Sequence, residues 1–244
     1  MPDSNGVMFP YMADEKALPQ PSRSDYANIA LKAAISAIPI AGGPAAEVFA
    51  AIIAPPLVRR RDEWLQSLAD GLAALEEKVE GFKAEMLSGR EEFVSAVLQA
   101  SQSAIRTHHK EKLDALRNAV LNIAIGRTPD EDEQAMFLGY IDALSTWHIR
   151  LLRFLENPAK LAAERQVRTD YTIGGSMSDL LEQVYPELRG RRDFYDQIMR
   201  DLRVRGFLNS GEDVLHVMMT GSGILAKRTT ETADRFVAFI SSPV

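Results

Sequence analysis

The chain has 244 residues, 46% of them hydrophobic and 25% charged, enough for one large or two small domains around an ordinary core. It contains no cysteine, which excludes disulfides, a thiolate nucleophile and cysteine-containing zinc sites and points to a cytoplasmic protein. A formal net charge of −6 argues against a chain-wide electrostatic footprint for nucleic acid.

Residues 1–24 are polar and proline-containing, and they lack the basic-then-apolar order of a secretory signal, so they read as a loose arm. A helical pattern from Asp25 to Ile38 stops at Pro39, where the ring removes a donor and crowds the preceding turn. Gly42-Gly43 reads as a turn, and Pro44 suits the first position of a second short helix, expected to end near Ala54 because Pro55-Pro56 follows. The stretch 33–57 carries a single charge, Glu47, and forms in this reading a hairpin of two apolar half-helices. Each half is about 16 to 22 Å long at roughly 1.5 Å per residue, short of the ~30 Å hydrocarbon core of a bilayer, so autonomous insertion is disfavoured. Ile38, Ile40, Phe49, Ile52 and Ile53 are its candidate membrane or partner contacts, followed by the basic run Arg59, Arg60 and Arg61.

Leu65, Leu68, Leu72, Leu75, Val79, Phe82 and Met86 then recur at spacings of 3 and 4, which predicts one long helix from about Pro56 to Leu87, ended by Ser88-Gly89. Glu91–Arg106, with Phe93, Val94, Val97, Leu98, Ala104 and Ile105, and Lys110–Ile125 predict two further amphipathic helices. Thr128-Pro129-Asp130-Glu131 matches a capping box with proline at the first helical position, opening a helix with a wide apolar face that runs to just before Pro158. Residues 166–175 lack a sustained period and contain Gly174-Gly175, so they are read as a linker between a helical bundle, 25–165, and a second module, 176–244. In that module, helices from Ser178 to about Tyr185 and from Arg191 to Arg205 precede two apolar runs, Val214–Met219 and Ile224–Arg228. The Gly-rich segment Thr220–Gly223 between those runs predicts a β-hairpin. Thr229 or Thr230 caps a last helix.

The order of helix, helix ending in Leu202-Arg-Val-Arg-Gly-Phe-Leu208, hairpin and Thr-initiated helix resembles a winged-helix domain over roughly residues 176–241. The resemblance implies that Arg191–Arg205 is the recognition helix, with Arg192, Arg200, Arg203 and Arg205 as phosphate or partner contacts and Lys227 and Arg228 on the wing. The module is slightly acidic overall, which favours a protein over DNA as its partner. The string IPxxGGPxxExF followed by PPLxxRRDEW also resembles an uncharacterised group of prokaryotic proteins with a helical front and this kind of tail, a likeness that implies no activity. On architecture alone, the apolar hairpin is similar to that of helical-bundle membrane effectors.

Nucleotide-binding loops and zincin or serine-hydrolase motifs are missing, and the four histidines have no metal-ligand spacing. His108 and His109 are adjacent, so on a helix they diverge by about 100°. His148, beside Trp147 on an apolar helix, reads as a satisfied boundary histidine, and His216 as a residue of the wing. The expectation is therefore a mainly α, non-enzymatic adaptor or regulator, without cofactor, metal or small-molecule substrate. Its partner would be another protein or a second copy, with DNA less favoured. The alternative is a conditional membrane-associating or pore-forming effector that uses residues 33–57.

Overall fold

The structure is a computed structural model and describes residues 44–169, 174–211 and 213–244. The expected arm, the helix 25–38 and the Gly42-Gly43 turn lie outside the described residues, as do Ile38 and Ile40. The chain divides into two units, Met1–Val58 and Arg59–Val244. The described residues are mainly helical: α1 Pro44–Lys78, α2 Glu91–Arg106, α3 Lys110–Ala124, α4 Glu131–Ala143, α5 Thr146–Glu156, α6 Pro158–Glu164, α7 Met177–Val184, α8 Arg192–Val204, the short α9 Gly221–Ile224 and α10 Glu231–Phe239. None of these helices is long and apolar enough to cross a membrane.

The described part of the first unit, residues 44–58, is helical throughout and corrects one expectation. The chain does not break at Pro55-Pro56, and α1 runs through both prolines. Two ring nitrogens remove the hydrogen bonds to the carbonyls of Ala51 and Ile52, but both of these residues are exposed, so water can take the released acceptors. The expected pair of half-helices ending near Ala54 is thus replaced, on its C-terminal side, by one continuous helix.

In the second unit the heptad stripe of α1 is only partly covered. Trp64, Leu68 and Leu75 are buried, whereas Leu65 is exposed. The helix stops at Lys78, earlier than the expected Leu87, because the chain turns at Gly81, whose φ of +77° suits glycine. Glu76 accepts the Ala84 N–H at 2.7 Å across this turn, and Phe82 and Leu87 fold back with Leu75 onto Leu121 and Ala124 of α3. Close approach of α1 to α3 also uses Gly71, where an added Cβ would lie 2.7 Å from Leu121 Cδ1.

The expected long helix 129–157 is two helices. Leu144 is extended and buried, and Ser145 starts α5. The α4 cap is Asp130, which accepts the Glu133 N–H at 2.9 Å, so the helix begins two residues later than a Thr128 cap would place it.

Residues on both sides of 166–175 share one core. It contains Ala100 and Leu116 as well as Leu152, Leu181, Leu202 and Phe236. Its centre is aromatic: Phe137 meets Phe236 edge-on at 5.3 Å, Tyr140 meets Phe207 edge-on at 5.2 Å, and Phe207 stacks on Phe236 at 5.2 Å. The two modules read from the sequence are therefore fused through α4 and α10. The expected wing does not form: among the described residues there is no strand, 213–216 is a turn, and 221–224 is helical. Thr220 accepts the Gly223 N–H and starts α9, so the Gly-Ser-Gly segment is a helical turn instead of a hairpin loop. Among the described residues only two isolated bridges remain, Gly175 with Met219 and Leu208 with Thr229. Gly174, at φ +88°, permits the first of them, since a Cβ there would lie 2.9 Å from the Met219 carbonyl oxygen.

The carbonyls at the C-terminal end of α10 are held by α3. Asn122, 4% exposed, donates its side-chain N–H groups to the Phe239 and Ser241 carbonyls at 3.0 and 2.9 Å, and Asn118 donates to Ile240 O at 3.1 Å. Replacing Asn122 by Ala strands the buried Phe239 carbonyl and removes the donor from the half-buried Ser241 carbonyl. The variant is expected to lose about 2 kcal/mol of unfolding free energy, measured by urea denaturation, while Asn118→Ala, at a less buried site, loses less.

Candidate functional site

The six basic residues expected to make a contact surface have separate tasks. Arg192 pairs with Asp196 at 3.5 Å, and Arg200 donates to Gln197 Oε1 at 2.8 Å. Arg203 donates to the Ser210 and Gly211 carbonyls at 3.2 and 2.6 Å, which ties the end of α8 to the loop that follows. The Arg205 guanidinium lies 5.7 Å from the Tyr140 ring centre. Lys227 is paired with Asp234, and Arg228 donates to Gly223 O at 2.7 Å. Asp193, Asp196 and Asp201 alternate with the arginines on α8, so no continuous positive face results.

Within the apolar segment, Val48 and Ile52 are 61% and 62% exposed and, four residues apart, share one face of α1. Ile53 is half-buried, and the side chain of Phe49 lies outside the described residues. Arg59 is exposed beside Glu63 at 3.7 Å, Arg60 is half-buried, and Arg61 meets Asp62 at 2.8 Å. Among the described residues no group of acidic and histidine side chains is placed to hold a metal ion.

His148 is a half-buried titratable group with partners on both ring nitrogens, and sequence reasoning saw only its burial. Its Nδ1 faces both the Ser145 N–H at 3.3 Å and the Ser145 hydroxyl at 2.8 Å, while Nε2 lies 3.3 Å from Asp201 Oδ2. A backbone N–H can only donate, so Nδ1 is the acceptor and the proton sits on Nε2, donated toward Asp201. The order Ser, His, Asp invites comparison with a hydrolytic triad. The Ser145-x-x-His148 spacing at the start of α5, however, already accounts for the contact as a helix cap, with His148 in the place that Glu or Gln usually takes. The spacing was visible in the sequence; Asp201, 53 residues away, was not.

Two neighbouring arrangements were also missed. Glu111 on α3 grips Arg150 on α5 in a bidentate pair, and the guanidinium lies 4.7 Å from the Trp147 ring centre. Trp147 stands edge-on to Tyr185 at 5.5 Å, and burial pushes the Tyr185 hydroxyl up to about 12.

Two of the concavities among the described residues carry charged lining. One of about 270 Å³ is lined by Arg153, Glu156, Lys160 and Glu164, with Val237 and Ser241. Burial, reinforced by Asp234, raises the Glu156 carboxyl above its ordinary value, and Lys227, Lys160 and Arg153 oppose the rise. With two cations and two carboxylates on its rim, this hollow favours no single charge of ligand. The other, about 460 Å³, lies along residues 209–211 and 213–219.

One helical face stands apart. On α2 the buried side is made of small residues, Ala96, Ala100, Ser103 and Ala104, whereas Val94 and Leu98, four residues apart, are 56% and 60% exposed. Known proteins offer no guide to these features: no family model, no curated protein and no solved structure matches the chain.

His148 sits below its ordinary value of 6.5 because burial outweighs the hydrogen bond and charge of Asp201, with Arg205 and Lys112 adding to the depression. A histidine whose folded value is depressed loses stability as pH falls through the unfolded value, since the unfolded chain then binds the proton more readily. Wild type is therefore expected to lose more unfolding free energy than His148→Gln between pH 7.5 and 5.5, in parallel denaturant titrations.

Proposed function

We propose that this chain is a non-catalytic adaptor or regulator that binds a protein partner through the outward face of α2. The observation that carries the reading is the exposure of Val94 and Leu98 on a helix whose opposite face is already buried. Aliphatic surface in water costs roughly 25 cal/mol per Å², and two branched side chains on one face are available for recovery on association. A polar rim surrounds them: Gln99 donates to Ala135 O, Arg106 pairs with Asp142 at 2.8 Å, and Glu91 and Ser95 are exposed. Such an apolar centre with a hydrogen-bonding border is the usual anatomy of a non-obligate interface.

A photo-crosslinking amino acid at position 98, introduced in the native host, is expected to yield a discrete protein adduct. Val94→Asp in the same chain should remove it, and the same probe at exposed Glu77 should not produce it. Equal labelling at 77 and 98, or none at 98, would count against the interface.

A second reading rests on Val48 and Ile52, exposed on one face of α1 and followed in sequence by Arg59, Arg60 and Arg61. An apolar stripe with a basic end suits a helix lying in a membrane surface, with the arginines among anionic headgroups. In that reading the full chain floats with anionic vesicles and Ile52→Asp does not. Flotation unchanged by this substitution, or no flotation with wild type, sets the membrane reading aside.

A further inference from the structure

The 460 Å³ concavity on the loop 209–219 combines three kinds of lining: aliphatic walls from Val214, Val217 and Met219, a cation in Arg228 and a carboxylate in Asp213, with Asn209 and Ser210 adding neutral polar groups. Arg228 and Asp213 line the same hollow without pairing, since neither has an ion pair among the described residues. Asp213 is exposed and its carboxylate has no hydrogen bond there either, while Arg228 is anchored through one terminal nitrogen to Gly223 O at 2.7 Å. Opposite charges that share a concavity yet stand apart leave room for a ligand that carries both signs.

The loop is also held in place before any ligand arrives. Gly175 and Met219 exchange backbone hydrogen bonds of 3.0 and 2.8 Å, Ser178 N–H donates to Leu215 O at 2.8 Å, and Asn209 N–H donates to Arg228 O at 3.1 Å. Arg203 clamps the carbonyls of Ser210 and Gly211, and His216 meets Asp196 at 2.8 Å. These tethers hold the described residues 209–211 and 215–219 against their neighbours, which lowers the ordering cost of binding.

From these features we propose that residues 209–211 and 213–219, with Arg228, form a binding site for a free α-amino acid with an aliphatic side chain. Arg228 takes its carboxylate, Asp213 its ammonium group, and Val214, Val217 and Met219 its side chain. The site is separate from the α2 face and does not depend on that reading.

Isothermal titration of the full chain with L-leucine and L-methionine is the direct test, alongside two half-ligands, 4-methylpentanoate without the amine and isoamylamine without the carboxylate. Saturable binding of an amino acid is expected, with each half-ligand at least about tenfold weaker. Asp213→Asn should retain the wild-type thermal melt and bind leucine no better than it binds 4-methylpentanoate. Arg228→Lys, which keeps the charge, should weaken leucine but keep its advantage over isoamylamine. No heat from leucine, isoleucine, valine or methionine at millimolar concentration would overturn the proposal. So would leucine binding unchanged by Asp213→Asn, or 4-methylpentanoate binding as tightly as leucine.

Discussion

A buried side-chain amide must find acceptors, and Asn122 finds them in the last turn of the last helix. Its N–H groups reach the carbonyls of Phe239 and Ser241, and Asn118 reaches Ile240 one helical turn earlier on α3. Those carbonyls would otherwise be stranded at the C-terminal end of α10, where no later helical N–H exists to take them. With that end satisfied, Phe236 and Phe239 can be buried against Phe137 of α4. The aromatic cluster therefore depends on a polar constraint set more than a hundred residues away in sequence, and it is what joins the C-terminal helices to the rest of the unit.

This dependence explains which parts of the fold were legible in the sequence. The α2, α3, α8 and α10 helices could be read from period and termini because each has an amphipathic stripe, as with Tyr195, Ile198, Met199 and Leu202 on α8. The interruptions were read less well. Proline was treated as a stop at 55–56, yet its cost depends on what happens to the released carbonyls, and that is a matter of exposure invisible in sequence. At Leu144-Ser145 the reverse occurred: a continuous apolar pattern hid a break because Leu144 stays buried while its backbone leaves the helix. The supposed wing failed for a local reason. Thr220 is a good helix cap, and two short apolar runs have no third strand to make a sheet worth forming.

The candidate surfaces show a similar division. Charge is easy to see in a sequence, and the basic residues of 191–228 drew attention for that reason, but Arg203 satisfies the Ser210 and Gly211 carbonyls and Arg228 that of Gly223 in α9. On α2 the larger residues Val94 and Leu98 were read as part of the apolar stripe, and the structure buries the alanines instead. Ala96, Ala100 and Ala104 pack in the same core as Ala115 and Ala119 of α3, so the small residues let the two helices approach closely. Hydrophobicity ranks a residue for burial; the distance between helix axes decides which residue fits. An exposed Val or Leu beside a buried alanine face follows from that geometry, and it is the kind of surface a partner can use.

The remaining polar architecture links these regions through α8. Asp201 holds His148 on one side of that helix, and Arg203, two residues on, holds the loop 209–219. Protonation of His148 would act on its two contacts in opposite senses. Nδ1 would cease to accept from Ser145, loosening the start of α5, while the positive ring would bind Asp201 more strongly. The first change frays a local cap; the second leaves α8 anchored and with it the Arg203 clamp. Protonation of His148 should therefore loosen the α4–α5 junction and leave the Arg203 clamp in place, so the neutral histidine serves the fold locally.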